Sequence, residues 1–178
     1  RSWLYPIYPF RTQEEQQQFI DHFHPANLLS RYPKARPLIT ATELASLQSM
    51  VQRYIQAMKL SPDIIVQEGV MCAWMKQNAD DPKSEDPKGV EMVPAIAYCN
   101  YLDGKIINVK FRSVQQHPIT GEWSKLFCQV SPTKPCAPYG IDSINLLRPD
   151  AQSIRQLIIT EGEKDRLTLM TCGFPYVL

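Results

Sequence analysis

Residues 156–165 read Gln-Leu-Ile-Ile-Thr-Glu-Gly-Glu-Lys-Asp. A short apolar run ends at Thr160, a carboxylate follows at once in Glu161, then a glycine, and a helix is expected to begin. That order is how a buried strand delivers an acid to the rim of an α/β sheet, where metals and phosphates collect. Phosphoryl chemistry at such a rim needs a divalent cation to neutralise charge and orient the attacking hydroxyl. Mg²⁺ is a hard ion that keeps several waters and takes few carboxylates, so one acid on a strand end plus two from a neighbouring strand suffices. Glu161 is therefore the first candidate, as metal ligand or general base, although the helix dipole alone would also favour an acid there. Asp165 divides evenly between orienting a metal site and complementing the helix start. Gly162 is expected to let the backbone turn sharply from strand to helix. Glu163 and Lys164 read as plain surface residues, and Leu167, Leu169 and Met170 as core contacts.

A second group lies upstream. Lys110 and Arg112 alternate along a strand, so both side chains point to one face, with Asn108 beside them. Two neighbouring cations repel, and an anion between them, such as a triphosphate or a template phosphate, would account for the pair. By pattern alone, an ordinary solvated sheet face explains them slightly better. Lys125, with Lys105 and Lys134, could extend the patch. Trp123 and Tyr139 could stack on a base, but aromatics on a small sheet are usually core. His22, His24 and His117 have no partner at ligand spacing. The five cysteines (Cys72, Cys99, Cys128, Cys136, Cys172) form no close pair of the zinc-ribbon or redox kind, so they read as buried or idle thiols in a reducing compartment.

These residues need elements to hold them. The first ten residues mix aromatics with Pro6 and Pro9 and read as an extended stretch lying across an apolar surface. Thr12 with Glu15, and Thr40 with Glu43, are capping-box pairs. The first opens a helix carrying Phe19, Ile20 and Phe23 up to Pro25. The second precedes the stripe Leu44, Leu47, Val51, Tyr54, Ile55, Met58, an amphipathic helix. Ser61-Pro62 opens a short helix ended by Gly69. Strands are expected at 70–75, 94–101, 105–113 and 123–130, with a hairpin at Asp103-Gly104 and a charged loop over 76–89. The expected class is α+β: a helical N-terminal part, an antiparallel sheet, then an opening β-α unit.

At 178 residues, 44% of them hydrophobic, the chain can bury one good core or two small ones. A net charge of +1 requires that any nucleic-acid contact come from a local basic face. No apolar run is long enough to cross a bilayer, so no membrane partner is expected. An opening Arg-Ser-Trp without Met points to a trimmed N-terminus.

The order Asp103-Gly104, Asn108-Val-Lys-Phe-Arg112, Tyr139-Gly-Ile-Asp142 and Glu161-Gly-Glu-Lys-Asp165 resembles the TOPRIM primase core of phage-type primase-helicases, a family that includes the Twinkle helicase and is similar to bacterial primase. The matching elements run from about Ser61 to the end. The closing Cys172-Gly-Phe-Pro-Tyr-Val-Leu178 looks like the helix end and second strand of TOPRIM. The resemblance implies a helical lead-in over 1–60, a subdomain with a basic antiparallel sheet over 61–150, and the start of a truncated TOPRIM domain over 151–178. In it, a strand ends near Tyr139-Gly-Ile-Asp142. It further implies synthesis of RNA primers on a single-stranded DNA template from ribonucleoside triphosphates, with Mg²⁺ or Mn²⁺ at Glu161 and Asp165. Lys110, Arg112, Asn108 and Lys125 would contact template or nucleotide. A helicase motor is expected in the same full-length chain or as a partner, in the cytoplasm of a bacterial or phage-infected cell. The later aspartate pair and a zinc ribbon are absent from these residues, so the isolated chain is expected to be an inactive fragment. The alternatives are a DNA-binding module of a replicative helicase that has lost priming, or a TOPRIM nuclease or topoisomerase fragment, against which Lys110 and Arg112 argue.

Overall fold

Helix α1 (Ala41–Ala57) starts at the second expected capping box. Thr40 Oγ1 accepts from the Glu43 amide at 3.2 Å, and Glu43 Oε2 accepts from the Thr40 amide at 2.8 Å. The computed structural model describes residues 4–14, 39–76, 92–129, 137–147 and 156–178. Most of the helix expected after Thr12, with His22 and His24, lies outside the described residues, as do the charged loop after Lys76, Lys134 and Cys136.

The stripe on α1 buries Leu47, Val51, Tyr54 and Ile55 against an antiparallel sheet. Its strands, in both chain and spatial order, are β1 (Tyr5–Pro6), β2 (Met71–Lys76), β3 (Met92–Leu102), β4 (Lys105–Ser113) and β5 (Phe127–Gln129). The β3–β4 hairpin turns at Asp103 and Gly104, with φ of 52° and 71°. Positive φ at both positions is the turn whose twist matches the flanking strands, which is why an Asp-Gly pair sits there. Alternation along β3 sends Ile96 and Tyr98 toward α1, and Ala95, Ala97 and Cys99 into a second apolar cluster with Val109 and Phe111. A register shift beside Asn100/Tyr101 brings Ile106 into that second cluster as well.

The extended N-terminal stretch becomes the edge strand β1. Gln48 and Gln52, one turn apart on α1, donate to the carbonyls of Pro6 and Ile7 at 2.7 and 2.9 Å. Leu4 and Ile7, rather than the aromatics, carry its burial. Helix α2 (Pro62–Gln67) follows Ser61 as expected. β5 is shorter than expected: Trp123 makes only an isolated bridge to Gln116, within a tight hairpin.

One expectation about the last third needs correction. Tyr139-Gly-Ile-Asp142 does not end a strand; a turn at Gly140 (φ 89°) opens helix α3 (Ile141–Leu147). The closing residues form a parallel pair, in which Ile158 N donates to Tyr176 O at 3.0 Å and Leu178 N donates to Ile158 O at 2.8 Å. Helix α4 (Glu163–Thr171) connects the two halves of that pair, and its Leu167 joins the α1-side core. The class is α+β. No described helix is long and apolar enough to cross a membrane.

Candidate functional site

Lys110 and Arg112 lie on the α1-side face of β4, directly across from Tyr98 and Ile96 on β3. Their shared face is confirmed, and the way the fold tolerates two adjacent cations is visible. Lys110 Nζ and the Arg112 guanidinium sit 5.3 and 5.2 Å from the ring centre of Phe127, which is 40% exposed on β5. Arg112 also lies 5.6 Å from the Tyr54 ring of α1. Aromatic faces attract cations, so the repulsion is relieved from below without an outside anion.

A carboxylate is supplied from within the chain as well. Glu163 Oε2 accepts from Lys110 Nζ at 2.8 Å, with the two side chains 18% and 29% exposed. The expectation that Glu163 is a plain surface residue is wrong: as the first residue of α4, it ties the acidic turn to the cationic strand. Glu161 is exposed two residues earlier, and Asp165 is exposed in the first turn of α4, 3.6 Å from Lys164 Nζ. Gly162 is the N-cap of α4 with φ −148° and ψ 153°. That is extended backbone open to any residue, and a Cβ there would meet nothing nearer than Asp165 Oδ2 at 3.7 Å. The turn therefore does not depend on glycine's freedom, and this expectation too is corrected. Asn108 accepts from its own neighbour, Val109 N, at 2.9 Å, and Lys125 is exposed ahead of β5.

Beneath the cations, the buried hydroxyls of Tyr54 and Tyr98 approach one another, yet neither makes a hydrogen bond of good geometry, nor does Arg112 Nε. Burial pushes both phenols above their ordinary range, with Arg112 drawing them partly back. Glu163 faces Tyr98 and Asp165 faces Tyr54 closely enough to oppose their ionisation. The fold thus gathers Lys110, Arg112, Glu163 and Asp165 around one tyrosine pair, with Glu161 at the rim. Among the described residues, no group of three or more His, Cys, Asp or Glu is arranged to hold a metal ion. Carboxylate oxygens such as those of Glu161 and Asp165 are the donor type a hard cation takes, and both side chains are exposed to solvent.

No protein-family model matches the chain, and no curated protein matches it. Among solved structures, the DnaG catalytic core superposes with a TM-score of 0.53 at 14% identity, over 74% of this chain and 46% of that one. A DnaG primase catalytic domain bound to single-stranded DNA gives 0.53 at 11% identity, over 93% of this chain and 56% of that one. The chain has a primase-core fold. It spans about half the length of these solved relatives.

Within this primase-core fold, sequence reasoning missed two polar anchors. Arg166 on α4 is fully buried and pairs with Glu68, which is itself buried at the end of α2. Arg166 Nε donates to Val177 O at 2.7 Å, and its guanidinium lies 5.3 Å from the Tyr139 ring. Ser143 Oγ of α3 donates to the same Glu68 carboxylate at 2.7 Å. One ion pair therefore joins α2, α3, α4 and the parallel strand pair. The available signal was helical spacing: Arg166 precedes Met170 by four residues, on the inward side of α4. Asp142, quoted only as part of a motif, is the second anchor. Its carboxylate accepts from Asp103 N at 3.0 Å and Gly104 N at 2.7 Å, holding α3 to the hairpin turn.

Proposed function

We propose that this chain forms part of a DNA primase, which makes RNA primers on a single-stranded DNA template from ribonucleoside triphosphates. The observation that carries this reading is the Lys110–Glu163 ion pair. It sets a cationic, aromatic-backed strand against the turn that bears Glu161, which supports a reading in which phosphate and metal ligands would share one edge of the fold. The primase-core fold supports the same reading, and one of its solved relatives is a primase domain bound to single-stranded DNA.

Lys110 and Arg112 would bind phosphate oxygens of template or triphosphate, and Arg112 offers the planar fork suited to that geometry. Asn108 and Lys125 would extend the contact. Mg²⁺ or Mn²⁺, held by Glu161 with Asp165, would neutralise the triphosphate and orient the attacking hydroxyl. The Phe127 and Tyr54 rings beside the cations would exclude water and strengthen their pull on an anion. A helicase motor, in the same full-length protein or as a partner, fits the motif order of the chain, and so does a phage or mobile-element setting.

The test is single-strand binding followed against salt. Replacing Lys110 and Arg112 together by alanine should weaken binding and flatten the salt slope by about 0.7 for each lost phosphate contact. An unchanged affinity and slope would remove the phosphate assignment, and with it the main support for the primase reading.

A further inference from the structure

Near the two cations lies a cleft of about 280 Å³ that none of the motifs above explains. It lies between α1 and the hairpin that follows β4. Arg53 of α1, Gln115, Gln116 and Trp123 line it, over a floor that includes Pro94 and Val114. The hairpin is well fixed: His117 N donates to Glu122 O at 2.8 Å, Gly121 N to His117 O at 2.9 Å, and the Gln116 amide to Gly121 O at 3.1 Å. Ser124 N donates to Gln115 O at 2.8 Å, so the residue that presents the second amide is held in place.

We infer that this cleft is a nucleobase subsite, taking one base of the single strand whose phosphates run over Lys110 and Arg112. The inference rests on the primase reading for the identity of that strand. Four observations select a base. Trp123 packs edge-to-face on Tyr54, with ring centres 5.0 Å apart at 84°, and stays partly exposed in the cleft. An indole anchored in this way is a stacking platform with little freedom left to lose. The two amides carry both donors and acceptors, which suits the edge of any base without demanding one sequence. Among the described residues, Arg53 is the only charged one lining the cleft: a single cation is a weak site for a lone anion, and the described lining has no carboxylate to offer a metal. Last, the cleft neighbours the cations, because the buried Tyr54 packs on Trp123 on one side and lies 5.6 Å from the Arg112 guanidinium on the other. Its volume falls just short of the roughly 300–1,000 Å³ of small-ligand pockets, which is room for one planar base rather than a whole triphosphate.

The experiment compares binding of a short oligothymidylate with that of a strand of equal length built from abasic sugars, at fixed salt. The unaltered chain should prefer the intact strand by about tenfold, the usual scale of one aromatic–base stack. Trp123→Ala should abolish that preference and Trp123→Phe should keep most of it, while Lys110→Ala should weaken both strands and preserve their ratio. Since Trp123 also packs on Tyr54, a bromouracil-substituted strand cross-linked by light to the unaltered chain provides the second measurement. Adducts should map to residues 115–123. Equal binding of the two strands by the unaltered chain, or adducts confined elsewhere, overturns the subsite. In that case, weakening by Lys110→Ala would leave the phosphate reading standing. Failure of the unaltered chain to bind either strand would overturn both.

Discussion

Lys110 is held between a ring and a carboxylate, and that position gives Glu163 a measurable role. Glu163 already pairs with the ammonium that the proposed phosphate contact would use. Glu163→Gln should therefore raise affinity for triphosphate or single-stranded DNA several-fold at low salt, an effect that fades as salt screens the site; anisotropy titrations would read it. Glu161→Gln makes a different prediction. Under the proposed primase function, it should cut primer synthesis by the full-length protein at least ~100-fold while leaving single-strand affinity within a factor of two, as measured by primer assays beside binding curves. Side-chain polarity and spacing along β4 made the shared face of Lys110 and Arg112 legible in advance. The partner of Lys110 was not legible, because 53 residues separate it from Glu163 and no local pattern specifies a contact across that distance. Gly162 was misjudged for the opposite reason. Glycine between strand and helix resembles a forced turn, and only the backbone angles reveal an ordinary extended residue.

Helices and strands that obey a local rule match the sequence closely. β4 spans the expected Lys105–Ser113, and α1 begins at its capping box. Elements set by contacts distant in the chain do not. Helix α3 depends on Asp142 reaching the hairpin turn and on Ser143 reaching Glu68, neither of which a seven-residue segment announces. Asp142→Ala removes the acceptor for two backbone donors and should cost ~1–2 kcal/mol, read from urea unfolding. The Arg166–Glu68 pair should be far less tolerant. Arg166→Met strands a carboxylate in the interior at a cost of ~3–5 kcal/mol, whereas replacing both partners by methionine should recover much of the loss. Gly140 belongs to the same assembly. Its φ of 89° suits glycine, and a Cβ would fall 2.1 Å from Arg166 Nε, so Gly140→Ala should destabilise by at least ~2 kcal/mol.

Taken whole, the molecule buries many weak acids in neutral form. Burial pushes the thiols of Cys72 and Cys99 from 9.0 up to about 12, and raises the phenols of Tyr54, Tyr98, Tyr101 and Tyr139 above 10.0. The unfolded chain releases these protons first, so stability is full below about pH 9 and declines as pH climbs toward the raised folded values. A urea midpoint that stays flat from pH 8 to 11 would contradict that sign. Composition foretold a core, and the motif order foretold the sequence of helix, sheet and β-α unit. The single ion pair binding the last unit to the first was hidden, since its partners stand 98 residues apart. That separation has a kinetic consequence. A hairpin closing over two residues can form within microseconds, while a contact spanning so much chain must await collapse. Substitutions in the Asp103-Gly104 turn should then slow folding, and loss of Arg166 should chiefly hasten unfolding, leaving α4 as the last piece to dock and the first to leave.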